Sequence, residues 1–180
     1  MDGPVFYKQT RIGRGLKPFK IYKFRSMKTN RTEFDGKYTH DEMVTNVGRF
    51  IRKTSIDELP QIINILRGEM AFIGPRPWIE EYYEWFNEEQ NRRTEVLPGL
   101  SGLAQVRGRN GLSITDKIKY DVEYVDTMNL KLDLYIWHET LKTIFGGQEA
   151  EISEEGIRDE IEELKTMNRF MKKKKAKYSA

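Results

Sequence analysis

A small mixed α/β domain, opening on a β-hairpin and continuing through amphipathic helices into a charged helical tail, is the fold class the sequence predicts. Three observations carry it. Residues 4–27 are rich in β-branched and aromatic residues around a pair of glycines. Four later segments repeat apolar residues at helical spacing. The chain has 180 residues, 38% hydrophobic and 33% charged, which suits one packed core under a well-solvated surface.

Taken in order, residues 4–12 and 18–27 read as two strands joined at Gly13-Arg14-Gly15. In the second strand Tyr22 and Phe24 share one face, while Ile21, Lys23 and Arg25 share the other. Two cations are therefore expected to project together from an aromatic-backed ribbon. Residues 28–46 are polar and patternless, and a mobile loop is expected there.

The first helical pattern, over 57–67, carries Leu59, Ile62, Ile63 and Leu66 as an apolar stripe. The second, over 78–93, carries Trp78, Ile79, Tyr82, Tyr83 and Phe86. A glycine-punctuated loop follows, with Leu97-Pro-Gly-Leu-Ser-Gly102 and Gln105-Val-Arg-Gly-Arg-Asn-Gly111. The third and fourth patterns cover 114–127 and 132–145, and Gly146-Gly147 ends the last. Beyond it, residues 149–163 hold eight acids and one base, and residues 165–177 hold seven bases and no acid. An acidic start and a basic end suit the helix dipole, so a helical tail is expected. The chain thus divides into a domain over 1–147 and a charged extension over 148–180.

Net charge is only +3, but residues 1–31 hold nine Lys or Arg against the single acid Asp2. Such a field attracts phosphates. The absence of cysteine excludes disulfides, thiolate metal sites and a thiol nucleophile. The sequence contains neither a run of about 18 apolar residues nor a signal-peptide pattern, and as given it is expected to behave as a soluble polypeptide. His40 and His138 stand in no ligand spacing and read as structural.

The chemistry concentrates in Lys53-Thr-Ser-Ile-Asp-Glu-Leu-Pro-Gln61. Ser55 followed by Glu58 is a capping-box spacing, yet with Ser55 as the cap Pro60 would delete a helical hydrogen bond. A helix starting at Asp57 or Glu58 keeps Pro60 in the first turn and leaves both carboxylates at the positive end of the dipole, facing outward. A carboxylate so placed can attack phosphorus, and two adjacent carboxylates with substrate oxygens suit Mg²⁺. By itself the motif leaves capping and catalysis both open. Gly74-Pro-Arg-Pro77 adds an arginine stiffened by prolines on both sides, suited to bidentate phosphate recognition. Lys23, Arg25, Arg49 and Arg52 are further cations available to a pyrophosphate. Gln105, Arg107, Arg109 and Asn110 offer donors and acceptors for a base or sugar.

The ordered set Gly3-Pro-Val-Phe6, Lys23-Phe-Arg-Ser-Met27, Thr45-x-x-Gly-Arg49, Arg52-x-x-Ser-Ile-Asp-Glu-Leu-Pro-Gln61, Gly74-Pro-Arg-Pro77, Pro98-Gly-x-x-Gly102 and Gln105-Val-x-Gly-Arg-Asn110 resembles the bacterial sugar transferases. These are the monotopic polyprenyl-phosphate phosphoglycosyltransferases, and the likeness covers residues 3–146. Departures are conservative: Ile56 where Leu is usual, Glu69 for Asp, and Leu103 for a frequent Trp. The resemblance implies an enzyme that transfers a sugar-1-phosphate from a UDP-sugar to undecaprenyl phosphate, releasing UMP with Mg²⁺ present. It would start capsule, exopolysaccharide, O-antigen or protein-glycan assembly. The implied roles place Asp57 as nucleophile, forming a covalent phospho-sugar intermediate, and Glu58 as its partner in holding Mg²⁺ or managing protons. Arg76, with Lys23, Arg25 and Arg52, would bind substrate phosphate; Gln105, Arg109 and Asn110 would face nucleotide or sugar.

The resemblance also implies helices lying along the cytoplasmic face of the bacterial inner membrane and a re-entrant N-terminal hairpin, which the sequence given does not contain. No nucleic acid partner is expected, and a homo-oligomer stays open. The competing readings are a catalytically silent scaffold on the same fold and a basic RNA-binding module.

Overall fold

The computed structural model describes residues 3–27, 44–108, 111–146, 159–167 and 169. Strands β1 (Phe6–Ile12) and β2 (Pro18–Phe24) form the expected antiparallel hairpin, in register from Phe6 opposite Phe24 to Ile12 opposite Pro18. The turn closes with Gly13 N–H donating to Lys17 O at 2.8 Å, and Gly15 takes the left-handed conformation that glycine adopts without steric cost. The two hairpin faces part as their side chains predict. Phe24 stacks on Phe6, centroids 5.6 Å apart, while Ile21 is buried against the body of the protein.

Residues 28–43, most of the loop expected over 28–46, lie outside the described residues. At its end the chain forms a helix that the sequence pattern did not reveal, α1 (Asn46–Lys53), capped by Thr45 Oγ1, which accepts from Gly48 N–H at 2.9 Å. Gly48 is required by packing, since a Cβ there would stand 1.9 Å from Ser26 O. After α1, Ser55 turns the chain through a left-handed conformation (φ 56°) into a 3₁₀ segment, Ile56–Gln61, and a short helix α2 (Ile62–Leu66). Ser55 makes no side-chain cap, in keeping with the argument from Pro60. The expected helix over 57–67 is thus half 3₁₀, a tighter winding that accommodates Pro60.

Strand β3 (Ala71–Ile73) pairs in parallel with β4 (Gly99–Ser101). Three residues give no readable alternation, which is why neither strand was expected. Between them the predicted helix 78–93 divides in two: α3 (Glu80–Tyr83) and α4 (Glu88–Asn91). Asn87 starts the second with a capping box, accepting from Gln90 N–H while the Gln90 side chain accepts from Asn87 N–H, both at 2.9 Å. The glycine-punctuated loop also contains a helix, α5 (Leu103–Gly108). The two long helices fall where the periodicity puts them, α6 (Ile114–Thr127) and α7 (Leu130–Gly146).

Two apolar clusters meet along α6. One gathers Trp78, Ile79 and Tyr82 with Ile114, Ile118 and Val122, and Leu164 from the helical stretch 159–167 completes it. The other joins Leu103, Tyr124 and Ile136, with Ile73, Val96 and Val106 packed against them. Among the described residues no helix is long and apolar enough to cross a membrane.

Candidate active site

The hairpin, the 3₁₀ segment and the Gly-Pro-Arg-Pro turn converge on Glu58. Lys23 Nζ donates to Glu58 Oε1 at 2.8 Å and Arg76 Nη2 donates to the same oxygen at 2.7 Å. The three side chains are 15%, 18% and 37% exposed for Lys23, Glu58 and Arg76. Burial alone would raise the Glu58 pKa, but Arg76 and then Lys23 outweigh it and hold the carboxyl well below the usual carboxylate range. Asp57, the next residue, is only 6% exposed. The outward-facing carboxylates expected at a helix start are therefore a buried one and a largely covered one.

Each contributor is anchored from behind. Asn64, fully buried, accepts from Tyr22 N–H at 3.2 Å and donates through Nδ2 to Lys20 O at 2.8 Å and Glu69 Oε2 at 2.7 Å. It pins β2, and with it Lys23, to the segment that carries the carboxylates. Arg76 stands on a crossing of backbones. Gly74 N–H donates to Ser101 O and Gly99 N–H to Pro75 O, both at 2.9 Å. A Cβ on Gly99 would lie 2.2 Å from Gly74 N, and one on Gly102 would lie 2.3 Å from Gly74 O. Only glycine at these positions lets the chains pass that close.

The prolines around Arg76 leave a run of carbonyls with no local helical or sheet partner, and three donors from elsewhere meet them in succession. Arg93 Nη2 donates to Arg76 O at 2.6 Å, Arg11 Nη1 to Pro77 O at 3.4 Å, and Ile12 N–H to Trp78 O at 3.0 Å. Burial and then the neighbouring Arg76 push the Arg11 guanidinium down to about 10. Arg93 is 2% exposed and paired with the equally buried Asp121. Its Nε and Nη2 reach Asp121 Oδ2 at 3.0 and 2.5 Å, and its Nη1 reaches Tyr83 OH at 2.8 Å. Burial disfavours that cation; Tyr83 and Asp121 more than compensate and raise its pKa.

Of the residues singled out by sequence, the structure thus brings together Asp57, Glu58, Arg76 and Lys23. Arg25 parts from Lys23: its Nε donates to Pro4 O at 2.7 Å and its guanidinium lies over Tyr7. Arg52 donates through Nε to Ser26 Oγ at 2.8 Å. Gln105 turns inward, donating to Leu100 O at 3.3 Å. Arg109 and Asn110 lie outside the described residues. Arg11, Arg93 and Asp121 were not singled out. Asp121 did leave a signal, since it falls seven residues after Ile114 and three after Ile118 on an otherwise apolar stripe. A charge in that position calls for a buried partner.

For Mg²⁺, the adjacent carboxylates Asp57 and Glu58 are the right donor chemistry, because that ion takes one or two carboxylates and completes its shell with water and substrate phosphate. Among the described residues no group of three His, Cys, Asp or Glu forms a ready-made cage. The residues fit a metal shared with substrate.

The sequence model describing bacterial sugar transferases matches residues 1–147. The chain belongs to the bacterial sugar transferase family. Among sugar transferases of known sequence it is 46% identical over 145 residues to the uncharacterized sugar transferase EpsL of Bacillus subtilis, an alignment covering 80% of this chain and 71% of EpsL. It is 41% identical over 152 residues to the UDP-glucose:undecaprenyl-phosphate glucose-1-phosphate transferase of Caulobacter vibrioides, covering 79% and 57%. It is 38% identical over 159 residues to the undecaprenyl-phosphate galactose phosphotransferase of Salmonella typhimurium, covering 79% and 33%. The chain therefore spans from about a third to about 70% of the length of these sugar transferases.

Proposed function

We propose that this chain is the catalytic part of a phosphoglycosyltransferase that moves a sugar-1-phosphate from a UDP-sugar to undecaprenyl phosphate. The observation that carries the proposal is the Lys23–Glu58–Arg76 cluster beside Asp57, on a chain whose relatives are named for this transfer. In the first step a carboxylate oxygen of Asp57 attacks the phosphorus that bears the sugar. A P–O bond forms to Asp57, the P–O bond to UMP breaks, and UMP leaves with that electron pair. In the second step a phosphate oxygen of undecaprenyl phosphate attacks the same phosphorus, and Asp57 departs as a free carboxylate. Because one face serves two bulky substrates in turn, a double displacement suits a single small site.

Arg76 and Lys23 offset the charge of the diphosphate, which otherwise repels an anionic nucleophile. With substrate bound, its oxygens share those cations with Glu58. Asp57 and Glu58 would hold Mg²⁺, which supplies further neutralisation of the phosphates. The burial of Asp57 keeps bulk water from the acyl-phosphate and strengthens every charge interaction around it.

The membrane as partner is supported by apolar side chains left exposed just after the carboxylates and on α7. Leu59, Ile62, Ile63 and Leu66, the last 82% exposed, follow directly on the carboxylates. Leu130, Leu134, Trp137 and Phe145 line an exposed stripe on α7, and with Phe72 the first of these aromatics borders an apolar cleft of about 240 Å³. Stripes of this kind, with Trp among them, suit the interface of a bilayer, where a polyprenyl acceptor resides.

The test is incubation with a panel of UDP-sugars and Mg²⁺ without acceptor. Release of UMP and a phospho-sugar mass adduct on Asp57 are expected, both lost in Asp57→Asn. Absence of UMP and adduct from every sugar, in protein supplied with membranes, overturns the mechanism.

A further inference from the structure

Arg93 and Asp121 form the most deeply buried charge pair among the described residues, and Arg93 meets the Lys23–Glu58–Arg76 cluster at a backbone atom. Their geometry is directed at it. The Arg93 guanidinium lies 4.3 Å from the Trp78 ring centre, is fixed on one side by Asp121 and Tyr83, and spends its remaining reach on one backbone atom, Arg76 O. A buried ion pair is a poor way to gain stability, since desolvating two charges costs about what their attraction returns. Apolar residues would fill this position at no such cost. What a guanidinium adds is a rigid planar fork that can join three fixed points, here a carboxylate on α6, a phenol on α3 and the carbonyl of Arg76.

We propose that Arg93, locked by Asp121, is a positioning residue for Arg76. It holds the Arg76 backbone so that the side chain is aimed at the reacting phosphate, and α6 is thereby made the frame for the phosphate clamp. The proposal rests on the assignment of Arg76 as that clamp. The chain between Pro75 and Pro77 cannot be held by regular secondary structure, because proline has no N–H to give. The flanking carbonyls are held by Gly99 N–H on Pro75 O and by Arg11 on Pro77 O; without Arg93 the Arg76 carbonyl between them loses the Nη2 donor, and the peptide plane that sets the direction of the side chain is held less firmly.

A double-mutant cycle in the full 180-residue chain separates positioning from mere support of the fold. Arg93→Lys keeps the charge opposite Asp121 but loses the fork that reaches Arg76 O. It is expected to lower kcat/KM for UMP release roughly 10- to 100-fold, the scale of a misplaced binding group, mainly through kcat. In an Arg76→Lys background the same change should cost less than about threefold, because the group it positions is already compromised. Equal losses in both backgrounds overturn the proposal. A second readout does not need activity. Arg93→Lys should loosen the Arg76 side chain, read as a lower order parameter of its Nε–H by ¹⁵N relaxation. An unchanged order parameter in a folded Arg93→Lys protein also overturns it. If Arg93→Lys does not fold, Tyr83→Phe, which removes only the Nη1 partner, replaces it. A kcat/KM loss of about threefold that disappears in Arg76→Lys is then expected, and equal losses in both backgrounds sink the idea. Wild-type protein that releases no UMP counts against the proposed activity instead, while the Arg76 order parameter still decides the positioning.

Discussion

Two cations share a single oxygen of Glu58, and that sharing makes its ionisation part of the folded state. The folded carboxyl titrates well below its unfolded value of about 4.3 because Arg76 and Lys23 favour the anion over the penalty of burial. A lowered pKa means that the stabilisation is complete above about pH 4.3 and is lost as pH falls toward the folded value. In that window the unfolded chain binds one proton more, which amounts to about 1.4 kcal/mol per pH unit. Arg76 is 37% exposed, so solvent screening trims its share. Glu58→Gln should therefore cost roughly 1.5–3 kcal/mol at pH 7, the range for a hydrogen bond to a charged group, and should flatten the acid limb. Urea denaturation between pH 7 and pH 3 checks both. Parallel acid limbs for the two proteins would mean that Glu58 does not carry the ion-pair energy. The same variant should impair UMP release, so the two effects are measured on one protein.

At the scale of elements, Asn64 is the joint between the hairpin and the segment carrying the carboxylates. Its three side-chain bonds to Tyr22, Lys20 and Glu69 replace the contacts that a longer helix or a wider sheet would supply. Asn64→Leu keeps the volume and strands these partners, so a loss of about 2–4 kcal/mol is expected. Amide exchange at Tyr22 should accelerate with it. Normal protection at Tyr22 would show that the hairpin is held by other contacts. What the sequence could reveal here was set by length and period. Helices α6 and α7 run for 14 and 17 residues, long enough for the 3.6 period to declare itself. The hairpin declared itself by composition and its glycines. By contrast β3 and β4 hold three residues each, and α1 lacks a full apolar stripe. The break at Asn87 was written in its capping box, yet the aromatic periodicity across 78–86 ran over it. Asp57, Glu58, Arg76 and Lys23 were legible because each stands in a short motif with its own mechanical reason. Arg93 belongs to no pattern, and its partner was visible only as a charge on the apolar side of α6. A stripe such as Leu59–Leu66 identifies one face and says nothing of what covers it; in the structure its apolar side chains stay 38–82% exposed.

For the molecule as a whole, the packed core draws on chain past the stretch matched by the family, which ends at residue 147. Leu164 is fully buried in the cluster of Trp78, Tyr82, Ile114 and Ile118. Two polar contacts reinforce it: Glu160 accepts from Tyr82 OH at 2.6 Å and from Lys117 Nζ at 2.5 Å. Trp78 is also the ring on which Arg93 stacks, so the 159–167 stretch and the phosphate clamp share one wall. Removing the leucine leaves a void at that wall. Leu164→Ala should cost about 2–5 kcal/mol, lowering Tm by several degrees for a chain of this size. Deleting residues beyond 147 should cost at least as much, since it uncovers the cluster and removes the partner of Tyr82. If the tail were a mere appendage, both variants would melt with the intact protein. A scan of Tm alongside UMP release also tests the coupling: loosening the Trp78 wall should reduce turnover at temperatures well below the transition, where the protein is still folded but Arg93 has lost part of its seat.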